Sequence, residues 1–211
     1  MLDDSTALAT RRLHRASAGE VLDSVAREAV VPLLTGRFGR DVYVYVARCD
    51  TTQRLLGDDA PEGAVAVTDE QLAGRGRLGR TWVAPFGTAI LCSVVLRPVA
   101  PPSRWPELMP LAAAACADAL AAATGVVASV KEPNDVVVRG AKVAGMLAES
   151  REGRVVLGLG LNVNQTRSQL PARPRLPATS LREELGRELD RAPLLAALLA
   201  RLERAYDSWA P

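Results

Sequence analysis

One histidine, His14, is all the imidazole in this chain. That excludes a histidine-built metal centre and any Ser–His or Cys–His nucleophile system. The three cysteines, Cys49, Cys92 and Cys116, are odd in number and far apart, which fits reduced, buried thiols rather than a disulfide framework. Aromatic residues make up 4% of 211 positions while hydrophobic residues make up 48%, so Ala, Val and Leu must fill the core. A net charge of +2 gives no broad basic face for nucleic acid. The longest apolar stretches are broken by charge or read as too short to span a bilayer. The N-terminus carries acidic residues and has no apolar signal core. These absences predict a cytoplasmic chain with no DNA and no membrane partner. The length suits one domain, or one domain with a short arm.

Lysine is also scarce. Of 26 basic residues only Lys131 and Lys142 are not arginine, and both flank one Pro133-Asn134-Asp135 turn. Lysine is a compact point charge with rotatable donors, a property arginine cannot supply at a tight reacting centre. Chance placement is the alternative, because two residues fall within eleven positions often enough.

What the chain does have is concentrated in Gly74-Arg-Gly-Arg-Leu-Gly-Arg-Thr-Trp82, with three arginines and three glycines in seven residues. Glycine lets the backbone approach a ligand, and arginine brings forked donors suited to phosphate or carboxylate oxygens. A loop of net charge about +3 gains nothing from self-repulsion on a solvent face. It reads as a flexible anion-binding loop that orders over a ligand; a solvated basic turn is the plainer alternative. Gly74, Gly76 and Gly79 also spell the dinucleotide fingerprint G-x-G-x-x-G, but no helix start and no ribose-binding carboxylate follow. The Rossmann reading is therefore rejected.

Along the chain, residues 1–16 are polar and arginine-rich. Ser17-Ala-Gly-Glu20 is a capping-box pattern for a short helix over Leu22–Val30, ended by Pro32. Strands are predicted at Asp41–Ala47, Gly63–Val67 and the fully apolar Ala89–Leu96. Four more follow at Val126–Lys131, Asp135–Arg139, Val143–Ser150 and Val155–Val163, spaced as a meander of tight turns. Helices are predicted from Gln53, over Pro106–Ala123, after the Ser180–Glu183 capping box, and over the Leu194–Ala205 apolar stripe. Pro171, Pro174 and Pro177 mark a coil. The sum is an α+β fold, a mixed or antiparallel sheet with helices mainly on one face.

Five motifs then fall in one order: Asp50-Thr51-Thr52-Gln53; Gln71 through the arginine loop to Trp82; Lys131-Glu132-Pro133-Asn134-Asp135; Lys142-Val-Ala-Gly145; and Gly158-Leu-Gly160-Leu-Asn162-Val-Asn164. Together they resemble the catalytic domain of biotin–protein ligases, whose motifs read D-S-T-N, Q-x-A-G-R-G-R-x-G-R-x-W, K-W-P-N-D, K-x-A-G and G-x-G-x-N-V-N. The resemblance covers about residues 41–209. It implies a class II synthetase-like fold and ATP-dependent conversion of biotin to biotinyl-5′-AMP. Transfer to a lysine of a biotin carboxyl carrier domain would follow, with ATP, magnesium and biotin as small-molecule partners and a monomer or homodimer as the assembly. It further implies that Lys142 contacts the biotin carboxylate and the developing adenylate, with Arg75, Arg77 and Arg80 neutralising the triphosphate. Thr51, Thr52 and Gln71 would hold the ureido end, and Gly74, Gly76 and Gly79 would close over the ligand. Trp82 would pack on the ligand, Asn134 and Asp135 would serve the nucleotide and metal, and Gly145, Gly160 and Asn162 would line the site. Each has a plainer alternative: Trp82 as core, Thr51 and Thr52 as a helix cap, Asn162 and Asn164 as strand-end partners, Lys142 as a solvated strand-edge residue.

Two departures matter. Glu132 stands where the family has Trp, exchanging a large apolar contact for a carboxylate near a carboxylate and a triphosphate. It implies a different ligand, a weakened site, or a side chain turned outward onto an arginine. Gln53 replaces the usual Asn, a milder change. The expected organisation is an extension over residues 1–40 without a winged helix, a catalytic domain over 41–211, and no C-terminal β-barrel domain. Two other readings stay open: a ligase or transferase for lipoate or octanoate, and a catalytically impaired homologue that binds biotin or its carrier.

Overall fold

Alternation of side chains along a few central strands decides this architecture. In the computed structural model, which describes residues 24–171 and 176–209, seven strands form one sheet. They are β1 (Tyr43–Cys49), β2 (Val65–Gln71), β3 (Ala89–Leu96), β4 (Ser129–Lys131), β5 (Asp135–Val138), β6 (Ala141–Arg151) and β7 (Arg154–Asn162). Their order is β1-β2-β3-β7-β6-β5-β4. Only β1 and β2 run parallel; every other pair is antiparallel, so the sheet is mixed. β4 to β7 are the predicted meander. The β5–β6 turn is tight because Arg139 and Gly140 both take positive φ, 50° and 81°, the backbone of a hairpin turn that matches strand twist.

Four helices accompany the sheet: α1 (Arg27–Val30), α2 (Leu108–Thr124), α3 (Leu181–Leu185) and α4 (Arg191–Trp209). α2 and α4 pack on each other and on one sheet face. That face receives Ile90, Cys92, Val94 and Leu96 from β3, Leu157, Leu159 and Leu161 from β7, and Ala144 and Met146 from β6. Each large side chain so buried contributes about 1.5–3 kcal/mol. Alanine-rich α2 adds Ala112, Ala113, Cys116, Ala119 and Leu120. It ends at Gly125, whose N–H reaches Ala121 O from φ 75°, a left-handed cap. Cys92 and Cys116 are free and buried, and burial pushes both thiols up to about 12; Cys49 is only half-buried.

Several expectations shift. An 18-residue window within the 23 residues Pro102–Thr124 has a mean hydropathy of 1.3, long and apolar enough to cross a membrane by length and composition alone. The reading that no stretch reaches that length is corrected; here its apolar side packs on the sheet and α4. The helix expected from Gln53 is a single 3-10 turn, Thr52–Arg54, capped by the Thr51 side chain. β1 and β2 lie two residues further along than predicted, and β2 continues through polar Thr68–Gln71. Asp69 can sit there because Arg191 Nη1 lies 2.8 Å from its Oδ1 and Tyr45 donates to its Oδ2 at 2.5 Å. Arg191 also donates to Ala89 O at 3.0 Å, pinning the start of α4 to β2 and β3. Ser180 Oγ caps Glu183 N at 3.1 Å as its motif predicts, while Glu183 reaches Arg167 N instead of closing the box. The Ser17–Glu20 box and Leu22 lie outside the described residues.

Candidate active site

The opposite face of the same strands is cut away. Facing positions there are Ser93 on β3, Gly145 on β6, and Gly158 and Gly160 on β7, with Gly145 paired to Gly160. Over this ground lies a cavity of about 590 Å³. A Cβ on Gly160 would stand 2.5 Å from Trp82 Cε2, and one on Gly145 would stand 3.2 Å from Trp82 Cζ3. The paired glycines are thus a seat for the indole. Trp82 packs against Ala84, Ala89 and Leu91 at its edge.

Lys142 and Gly145 are three apart, an odd spacing that puts strand neighbours on opposite faces. Both nevertheless line the cavity. The reason is a bulge: Val136 pairs with Ala144 while the next residue, Val137, pairs with Lys142, leaving Val143 extra. The added residue rephases the strand. Lys142 is held from the other side too, its N–H on Pro177 O at 2.6 Å and its O receiving Thr179 N at 2.9 Å. Its ammonium lies 2.5 Å from Asp135 Oδ1 and 5.3 Å from the Trp82 ring centroid.

The arginine loop is a formed hairpin rather than the flexible loop expected. Trp82 N donates to Gly74 O at 2.9 Å and Gly76 N to Arg80 O at 2.7 Å. The tip turns through Leu78 and Gly79 at φ 59° and 72°. Arg77 Nη1 donates to Asn134 Oδ1 at 3.2 Å, and Asn134 Nδ2 donates to Met146 O at 2.8 Å. Arg75 lies 2.7 Å from Glu149 on β6. The hairpin is therefore tied to the β5–β6 floor at two points, with Arg80 exposed at its edge.

At the other end, Gln71 Oε1 accepts from Thr52 N at 2.9 Å and Thr52 Oγ1 at 3.3 Å; Thr52 Oγ1 also lies 2.7 Å from Ser93 Oγ. Thr51, Gln71, Arg75, Gly76, Arg77, Arg80, Trp82, Asn134, Asp135, Lys142, Gly145, Gly160 and Asn162 all line the cavity. Thr52 and Gly74 do not. Thr52 stands behind Gln71, and Gly74 lies against the hairpin backbone, where a Cβ would be 2.3 Å from Trp82 O. Asn162 lines the cavity with its amide already spent on Thr179 O and Gln165 Nε2, and Asn164 secures Leu189. Glu132 is exposed at the cavity mouth and makes no ion pair among the described residues. Gln53 and Gly158, quoted within their motifs but given no role of their own, also line the cavity and meet on its floor.

The fold superposes on solved biotin protein ligases. The enzyme from Aquifex aeolicus in complex with biotin and ATP superposes with a TM-score of 0.70 at 30% identity, over 81% of this chain and 72% of that one. Residues 45–165 match the biotin/lipoate A/B protein ligase family, and the chain belongs to that family. It is 38% identical over 164 residues to the bifunctional ligase/repressor BirA of Bacillus spizizenii, covering 75% of this chain and 50% of the relative. To the biotin–[acetyl-CoA-carboxylase] ligase of Mycobacterium tuberculosis it is 38% identical over 152 residues, covering 70% and 56%. The chain thus spans about half the length of these relatives.

Proposed function

We propose that this chain activates biotin with ATP to biotinyl-5′-AMP and passes the acyl group to a lysine of a biotin carboxyl carrier domain. The observation that carries the reading is the Lys142 ammonium, set between the Asp135 carboxylate and the Trp82 indole beneath a hairpin of three arginines. A carboxylate attacking a triphosphate brings like charges together, and preorganised cations are the remedy. Lys142 contacts the biotin carboxylate as one of its oxygens attacks the α-phosphorus and pyrophosphate leaves. Arg77, aimed by Asn134, and Arg80 meet the phosphate oxygens. Arg75 enters with its charge already met by Glu149, so its part is to fix the hairpin. The floor then shields the mixed anhydride from water until a carrier amine attacks the acyl carbon and AMP departs.

Magnesium fits as a companion of the nucleotide. No cluster of three or more His, Cys, Asp or Glu side chains occurs among the described residues, so Asp135 with phosphate oxygens would hold it, as this cation prefers. Bound there, it would neutralise phosphate charge. The soluble, cytoplasmic setting expected from the sequence accords with this chemistry. The test is ATP–pyrophosphate exchange with magnesium, comparing biotin, lipoate and octanoate. Exchange stimulated by biotin is expected; exchange with another acid alone, or with none, overturns the assignment.

A further inference from the structure

β5 lies along one edge of Lys142, while β7 joins β6 only from Ala144 onward. On that second edge the place of a strand is taken by a strap, residues 177–179, whose Pro177 carbonyl and Thr179 amide meet the Lys142 backbone. The strap belongs to none of the seven strands, so its register must be held by other means.

A chain of side chains holds it. Asn162, the last residue of β7, donates from Nδ2 to Thr179 O at 3.0 Å. Gln165 Nε2 donates in turn to Asn162 Oδ1 at 2.9 Å, and Ser180 Oγ returns to Gln165 O at 2.6 Å. Asn162, Gln165, Thr179 and Ser180 are all buried. The direction of each amide is fixed by chemistry. A carbonyl only accepts, so Asn162 must turn its NH2 to Thr179 O. The oxygen it leaves facing Gln165 also only accepts, so Gln165 must present its own NH2.

Gln165 stands behind Asn162 and does not line the cavity. With Nε2 engaged, its Oε1 is buried without a hydrogen-bond partner. A methionine would occupy similar space without that penalty. The amide is kept for its donor, and so for the orientation it imposes on Asn162.

We infer that Gln165 is a positioning residue for Lys142, acting through Asn162 and the strap. It holds Asn162 in the one orientation that donates to Thr179 O. The strap so pinned sets where the Lys142 backbone stands, and with it the ammonium beside Asp135. Lys142 needs this support because the ladder to β5 is interrupted there by the bulge. A side chain at 165 without a donor frees Asn162 to turn over, setting Oδ1 against Thr179 O and loosening the strap. The ammonium then meets the reacting carboxylate and phosphate less well, a loss felt mainly in the transition state. The inference rests on the adenylation reading above and adds to it a residue that touches neither substrate.

The test is a double-mutant cycle on the intact chain, read by biotin-dependent ATP–pyrophosphate exchange. Gln165→Met should lower kcat about tenfold, with unchanged KM for biotin and ATP and a thermal midpoint close to wild type. In the Lys142→Ala background the same change should cost nothing further, since the group it positions is gone. Gln165→Asn, which withdraws the donor by one methylene, serves in the same cycle if the Met variant does not fold. Additive losses would show an effect independent of Lys142 and overturn the inference. So would unchanged turnover, or a raised KM for ATP at unchanged kcat, which would place the effect on Asn162 at the cavity wall. Wild-type protein without biotin-dependent exchange overturns the functional reading itself, a result visible before any variant is compared.

Discussion

The two faces of β3, β7 and β6 share one backbone and obey opposite rules. Toward α2 and α4 the strands present Ile90, Val94, Leu157, Leu161 and Met146, all nearly inaccessible. Toward the cavity β6 and β7 present Gly145, Leu147, Gly158 and Gly160, with Ser93 of β3 behind them. One face gains stability from filled volume, the other keeps volume empty for a ligand and gives up packing to do so. Alternation with a period of two lets a single strand serve both ends, because neighbouring residues never compete for the same space.

Substitutions on either face separate the two roles. The largest effect is expected from Lys142→Ala, which should lower biotin-dependent pyrophosphate exchange by about 10²–10³-fold with a thermal midpoint close to wild type. A variant with wild-type exchange would sink the role given to Lys142. Leu161→Ala, on the packed face, should reverse the pattern. Denaturant titration is expected to show a loss of about 2–5 kcal/mol, with exchange per folded molecule unchanged. Gly160→Ala tests the seat itself. Its Cβ would stand 2.5 Å from the indole, so Trp82 must shift; biotin binding should weaken by roughly tenfold, with a smaller cost in stability, about 1 kcal/mol. An unaffected binding constant would show that the indole position does not matter to the ligand.

The smallest effect lies away from both faces. Asp207 sits 2.6 Å from Arg37, and the hydrogen bond from that guanidinium holds its carboxyl below the usual carboxylate range. A carboxyl depressed in the folded state adds stability above its unfolded pKa and loses it as the pH falls through the folded one. Both side chains are over two-fifths exposed, so solvent screening keeps the contribution to about 0.5 kcal/mol or less. Asp207→Asn should therefore lower stability at neutral pH by that small amount, flatten the acid limb slightly, and leave stability below the folded pKa unchanged.

What the sequence discloses and what it hides divide along physical lines. β3 was read to the residue because every position in Ala89–Leu96 is small or apolar and the chain around it is not. The order of motifs placed most of the lining residues, since each sits at a strand end or turn with its own local signature. The bulge at Val143 left no trace: Val143 sits between Lys142 and Ala144 as one more apolar residue of a strand, and an extra residue there carries no signature of its own. The continuation of β2 through Asp69 was hidden for another reason, because its charge partner Arg191 is 122 positions away. Thr52 and Gly74 stand behind the cavity lining, since a motif reports neighbourhood and not which side chains reach a cavity.

Under the proposed activity, the pairing of Lys142 with Asp135 bears on how such a chain would tolerate its own product. An acyl-adenylate is an electrophile for free amines, and a protein that makes one exposes its own lysines to it. Here the side chains offer two ε-amines in all. One is Lys142, held within the cavity against the Asp135 carboxylate at 2.5 Å and so kept from reaching an acyl carbon. The other, Lys131, is the single lysine exposed at the cavity's rim. Arginine carries the remaining positive charge and is inert to acylation at neutral pH, so the surface keeps its cations without becoming a target. Mass spectrometry after prolonged turnover without a carrier should find side-chain acylation confined to Lys131.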